Sequence, residues 1–136
     1  MTSSREPPPE LGGGDTFQYT GNHSDNHLWI VISDPLLDQH HVLVVNLTTC
    51  RQRSDKACLI QPGEYPFVTA LTCVQYLACR DVKLGILEDW LDMGRIVKRE
   101  PVTQDLLQRI RQGAVDSPHT PLGVKTLLLD QGLADP

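Results

Sequence analysis

Apolar positions follow two different rhythms along this chain. In the first part they stand in short unbroken runs or alternate singly. After Val82 they return every three or four residues. Thr16-Phe17-Gln18-Tyr19 alternates polar and aromatic, the period of a half-buried strand. Leu28-Trp29-Ile30-Val31-Ile32-Ser33 and Val42-Leu43-Val44-Val45-Asn46-Leu47-Thr48-Thr49 are continuous, rich in β-branched residues and closed by polar ends. Such runs read as strands buried on both faces. The second is the strongest β signal in the chain. The two are expected to form the centre of a small sheet, with Asp34 to Gln39 between them as a turn or irregular arm.

Cys58-Leu59-Ile60 predicts a short strand, closed by Gln61 to Pro66, where Pro62-Gly63 is a strong turn signal. Leu71 to Ala78 predicts a fifth strand, with Thr20 to Asn26 and the polar, mostly basic stretch Thr49 to Ala57 as loops. Five short strands with turn-rich connections imply a small barrel or a strongly bent sheet.

Beyond Ala78 the pattern becomes helical. Leu84, Leu87 and Leu91 share one face of a helix over 82–93, with Ile86 and Trp90 beside it, and Gly94 is placed to end it. Thr103 is a suitable N-cap for a helix over 104–114. Asp105 suits its positive end, and Leu106, Leu107, Ile110 and Ala114 form its apolar stripe. Thr120-Pro121 has the form of an N-cap followed by proline at the first helical position, opening a last helix over 122–129. Strands first and helices last make an α+β domain.

Composition bounds the rest. At 136 residues one domain is expected. Residues 1–13, rich in Pro, Glu, Ser and Gly, bury too little to fold and are read as a disordered tail. The domain proper is assigned to 14–115 and a C-terminal helical extension to 116–136. A net charge of −5 gives no overall basic face of the kind nucleic-acid binders show, but it does not bear on local placement. No secretory leader and no membrane-length apolar run are visible, so the expected setting is the cytoplasm, with no membrane partner and reduced thiols. The four cysteines contain no C-x-x-C pair, and Cys73 and Cys79 read as small buried hydrophobes. His23, His27, His40 and His41 lack a diagnostic ligand spacing, so neither a metal nor another cofactor is expected. The sequons at Asn22 and Asn46 are then incidental. No nucleophile elbow, phosphate loop or dinucleotide fingerprint occurs.

The order of Gly14-Asp15 opening a strand, an aliphatic strand ending in Ser33, and then Val44-Val45-Asn46-Leu47-Thr48-Thr49 resembles the PemK/MazF family of plasmid-maintenance and growth-inhibitor toxins. Thr72 to Val82 is similar to that family's late strand, and the helix over 104–114 to its terminal helix. The resemblance spans 14–115. It implies a small SH3-like β-barrel followed by helices, a homodimer, an antitoxin protein as partner, and metal-independent cleavage of single-stranded RNA. In such cleavage the 2′-hydroxyl attacks the adjacent phosphate, so the protein must supply a base, an acid and charge stabilisation. In the family, an arginine before the second strand and the threonine of a Leu/Ile-Thr end commonly serve. By position these fall on His27, which replaces the arginine, and on Thr48. The family's Arg-x-Asp pair in the late strand falls on Gln75 and Leu77. Thr49, Arg51, Arg53 and Lys56 are the candidate substrate-binding residues, the last three as phosphate contacts. The alternative is a catalytically degenerate barrel of the same fold acting as a protein-binding module.

Overall fold

A computed structural model describes residues 11–21, 27–35 and 40–136. The expected loop at 22–26, the arm at 36–39 and residues 1–10 of the tail lie outside the described residues. The chain is α+β, as its pattern predicts. Its strands are β1 (Thr16–Tyr19), β2 (Trp29–Val31), β3 (His41–Thr49), β4 (Leu59–Ile60), β5 (Thr72–Lys83) and β6 (Ile96–Arg99). The helices are α1 (Leu84–Asp92), α2 (Gln104–Asp116) and α3 (Leu122–Asp130).

The six strands form one antiparallel sheet in the order β4-β5-β3-β2-β1-β6. Among the described residues no ladder joins β4 to β6, so the sheet is open. As expected, β3 and β2 are central, and their continuous aliphatic runs are explained by burial on both faces. Leu28, Ile30, Ile32, Leu43, Val45 and Leu47 point into one core with α2 and α3. Trp29, Val31, Val42 and Val44 point into a second, with Phe17, Ile96 and the Leu84 and Leu87 side chains of α1.

Three elements differ from the sequence reading. A sixth strand, β6, pairs along the whole of β1, from Thr16↔Arg99 to Tyr19↔Ile96. Its Ile96-Val97-Lys98-Arg99 is too short and too charged to signal a strand alone. Second, β5 continues to Lys83, because Val82 and Lys83 pair with Val42 and His41, and the helix starts only at Leu84. Third, the ladder between β3 and β5 is irregular. Val44 faces Arg80 and Asn46 faces Gln75, so five steps along β5 match two along β3. Such an insertion is a bulge, and an odd one inverts the alternation. Val74 lies on the α2 side before it, as do Tyr76 and Cys79 at the two ends of the unpaired stretch, while Arg80 turns to the other face, 5.0 Å over the Trp29 ring.

Helix α2 is seated by specific contacts. The Thr103 hydroxyl accepts from Leu106 N at 3.2 Å, the predicted cap. Leu106, Leu107, Ile110 and Ala114 are all buried. At Gly113 a Cβ would stand 2.2 Å from the Tyr76 hydroxyl and 3.1 Å from Cys58 Cβ, so only glycine permits this approach to β5. The Tyr76 hydroxyl donates to Ile110 O at 2.8 Å; its burial pushes the phenol far above its ordinary value and keeps the proton in place. Arg109 ties α2 to the Pro62-Gly63 turn by pairing with Glu64 and donating to Leu59 O.

For α3 the cap differs from expectation: Pro121 is the N-cap, no side chain caps the helix, and the Thr120 hydroxyl is buried without a partner among the described residues. Val124 and Leu128 of α3 belong to the same core as α2 and β5. Before β1, Leu11 is fully buried in the core that holds Phe17, and Gly14 N donates to Val31 O at 2.8 Å. Gly94, at φ +75°, follows α1 in the left-handed conformation that favours glycine. No helix is long and apolar enough to cross a membrane among the described residues.

Candidate functional site: two clefts that share Thr48

The polar end of β3 forms the site. Leu47 N donates to Leu28 O at 3.1 Å, which sets the end of β3 against the residue before β2. His27 therefore lies beside Leu47, and its Nδ1 makes a 2.8 Å hydrogen bond to Leu47 O. A carbonyl oxygen can only accept, so Nδ1 carries a proton, and in the neutral ring the lone pair is on Nε2. Thr48 and Thr49 follow directly, the first half-buried and the second exposed.

His27, Thr48 and Thr49 line one cleft of about 310 Å³. Its floor is apolar, from Leu28, Leu47 and Val68, and Tyr65, Phe67, Gln18 and Thr72 complete it. Among the described residues no acidic side chain lines it. The Tyr65 ring is buried, its hydroxyl donates to Glu100 O, and its phenol is raised by that burial. Phe67 is 56% exposed and stands beside Tyr65 with ring centroids 5.7 Å apart.

Thr48 also lines a second cleft, of about 390 Å³, with Arg51, Arg53, Ser54, Gln75, Leu77 and His119 around it and Cys73 and Tyr76 in its wall. The segment carrying His119 is fastened to the basic loop: Ser117 Oγ donates to Asp55 Oδ2 at 2.5 Å and accepts from His119 N at 3.1 Å. The other Asp55 oxygen accepts from Ala57 N at 3.0 Å, so the carboxylate serves the loop's own structure. Burial raises the Cys73 thiol; a hydrogen bond with Ser54 acts against this.

The fold thus brings together most of the residues singled out in the sequence, but not in one place. His27, Thr48 and Thr49 share the first cleft, and Arg51 and Arg53 meet Thr48 in the second. Lys56 is among the lining residues of neither. Its ammonium donates to the carbonyls of Arg51, Gln52 and Ser54 at 3.2, 2.8 and 3.3 Å, closing the loop on itself. Gln75 and Leu77 both face the second cleft. Gln18, Tyr65, Phe67 and His119 went unnoticed in the sequence. Phe67 had one signal, an aromatic residue in a proline-rich turn with no periodic partner; His119, in a linker, had none.

Asn46, 5% exposed, leaves its Oδ1 without a partner among the described residues, two residues before Thr48. His41, one of the histidines considered as a ligand, instead bonds Asp81 at 2.8 Å. Among the described residues no three His, Cys, Asp or Glu side chains are grouped to hold a metal ion. Compared with family models, with curated proteins and with solved structures, the chain has no match.

Proposed function

We propose that this chain is a divergent PemK/MazF-type protein that binds single-stranded RNA at the end of β3 and cleaves it without a metal. The observation that carries this reading is the meeting of His27 and Thr48 in one cleft, with Arg51 and Arg53 next to Thr48 on its other side. Two segments about twenty residues apart in sequence supply an imidazole and a hydroxyl at one place, and a neighbouring loop supplies charge for phosphates.

In this reading His27 accepts the 2′-hydroxyl proton at Nε2 while its Nδ1–H stays on Leu47 O. The 2′-oxygen bonds to phosphorus as the P–O5′ bond breaks, and the leaving 5′-oxygen takes a proton from water. Thr48 donates to a phosphate oxygen, and the arginines hold the next phosphate. Histidine in place of arginine exchanges a bidentate phosphate contact for proton transfer. The open sheet is then a version of the SH3-like barrel, and the protein works in the cytoplasm as a homodimer restrained by an antitoxin.

The test is incubation of the purified protein with labelled single-stranded RNA in the presence of a chelator. Products ending in 2′,3′-cyclic phosphate are expected. His27→Ala should slow cleavage by roughly 100-fold or more, the usual contribution of a positioned acid or base. Thr48→Ala should also slow it, with melting temperature unchanged in both. Intact RNA, together with no binding by the wild-type protein, would sink the reading and leave the protein-binding module in its place.

A further inference from the structure

We propose that Phe67 is the stacking platform for a single nucleobase in the first cleft, an inference that rests on the RNA reading above. Among the described residues Phe67 is the one aromatic side chain among the large exposed hydrophobics, and at 56% exposed it leaves much of its ring in water.

The ring also has neighbours on two sides. It is tilted 45° against Tyr65, which is itself locked through Glu100 O and lies 3.1 Å from the Thr16 hydroxyl. The Arg99 guanidinium lies 5.9 Å from the Phe67 centroid, and Arg99 Nε donates to Gln18 Oε1 at 2.8 Å. Glutamine, arginine and phenylalanine from three separate segments thus form one supported surface beside the cleft. Rigid aromatic faces bind bases of single strands by stacking, and every base has such a face. Arg99 stands over one face of the ring, so a base would stack on the other face, with the guanidinium charge close to the nucleotide's own phosphate. The volume of about 310 Å³ is at the small end of ligand pockets and suits one nucleoside better than a stacked run. His27 and Thr48 line the same cleft, so a base on Phe67 brings its ribose and phosphate towards them.

The experiment measures fluorescence anisotropy with short, labelled, 2′-O-methylated oligouridylate and oligoadenylate, which cannot be cleaved. Phe67→Ala should weaken both by roughly 10-fold, the scale of one lost base–aromatic stack. Phe67→Trp should restore affinity, and its additional indole emission, relative to wild type, should be quenched as RNA saturates the site. If wild type binds RNA and Phe67→Ala binds it equally well, the platform is overturned. It is equally overturned if Phe67→Ala changes only self-association by sedimentation, which would make the ring a contact between copies. If wild type binds no RNA, the RNA reading fails separately. A titration of adenosine monophosphate into the Phe67→Trp protein then decides the platform alone: saturable quenching keeps it and constant emission removes it.

Discussion

On one side of the sheet, aliphatic side chains from β2, β3 and β5 meet two helices; on the other, an aromatic group of Phe17, Trp29, Tyr19 and Trp90 meets one. The first side is closed. Helix α2 buries five residues, α3 adds Val124 and Leu128, and at Gly113 there is no room for a single methyl group. The second is looser. Helix α1 buries only Leu84 and Leu87, Trp90 and Tyr19 remain half-exposed, and a cleft of about 420 Å³ opens between Tyr19, Thr20, Trp90 and Arg95. Arg80 covers part of that side from the bulge in β5. Stability is therefore expected to be concentrated on the α2 side, which also carries the core beneath the two clefts.

Removing equal side chains from the two sides gives the largest test. Leu107→Ala should cost about 4 kcal/mol and Leu87→Ala about 2 kcal/mol, because the cost of a cavity grows with how little its walls can relax. Urea unfolding measures both, and equal losses would erase the contrast. Gly113→Ala sets two effects against each other. Helix propensity favours alanine by up to about 1 kcal/mol. Overpacking against Tyr76 should cost about 3 kcal/mol. A net loss of about 2 kcal/mol is expected, and a gain would mean that α2 can lift from β5 without cost.

The smallest effect concerns the ion pair that fastens the outside of α2. The hydrogen bond from Arg109 holds the Glu64 carboxyl below its ordinary value. A depressed carboxylate stabilises the fold above its unfolded value and loses that contribution as pH falls through the folded one. The pair is exposed, so Glu64→Gln should cost well under about 1 kcal/mol at neutral pH. The deficit should vanish in acid, and thermal melts across pH would show it. A deficit that persisted in acid would point to the turn geometry instead.

The two central strands were readable because burial on both faces forces continuous aliphatic runs. α2 was readable because Thr103, Asp105 and its stripe agree with one another. The register of β5 was not, since an odd insertion in a strand leaves no local mark: Leu77 and Ala78 look like ordinary strand residues. β6 was missed because its pairing with β1 spans about eighty residues and owes nothing to its own composition. The site divides in the same way. His27 opposite Thr48 follows from placing two adjacent strands together. Phe67 and His119 arrive through tertiary packing of turns, which no periodicity describes. The part played by Lys56 depends on where three carbonyls of its own loop point, and residue type alone does not give that.

The mismatch between β3 and β5 has one more consequence. Three more residue steps on β5 than on β3, between Val44 and Asn46, amount to ~10 Å of additional strand at the usual rise per residue. Two paired paths of unequal length cannot run straight side by side; the longer must take the outer arc. The difference in length thus acts as an instruction to curl, written into the chain at Tyr76 to Cys79.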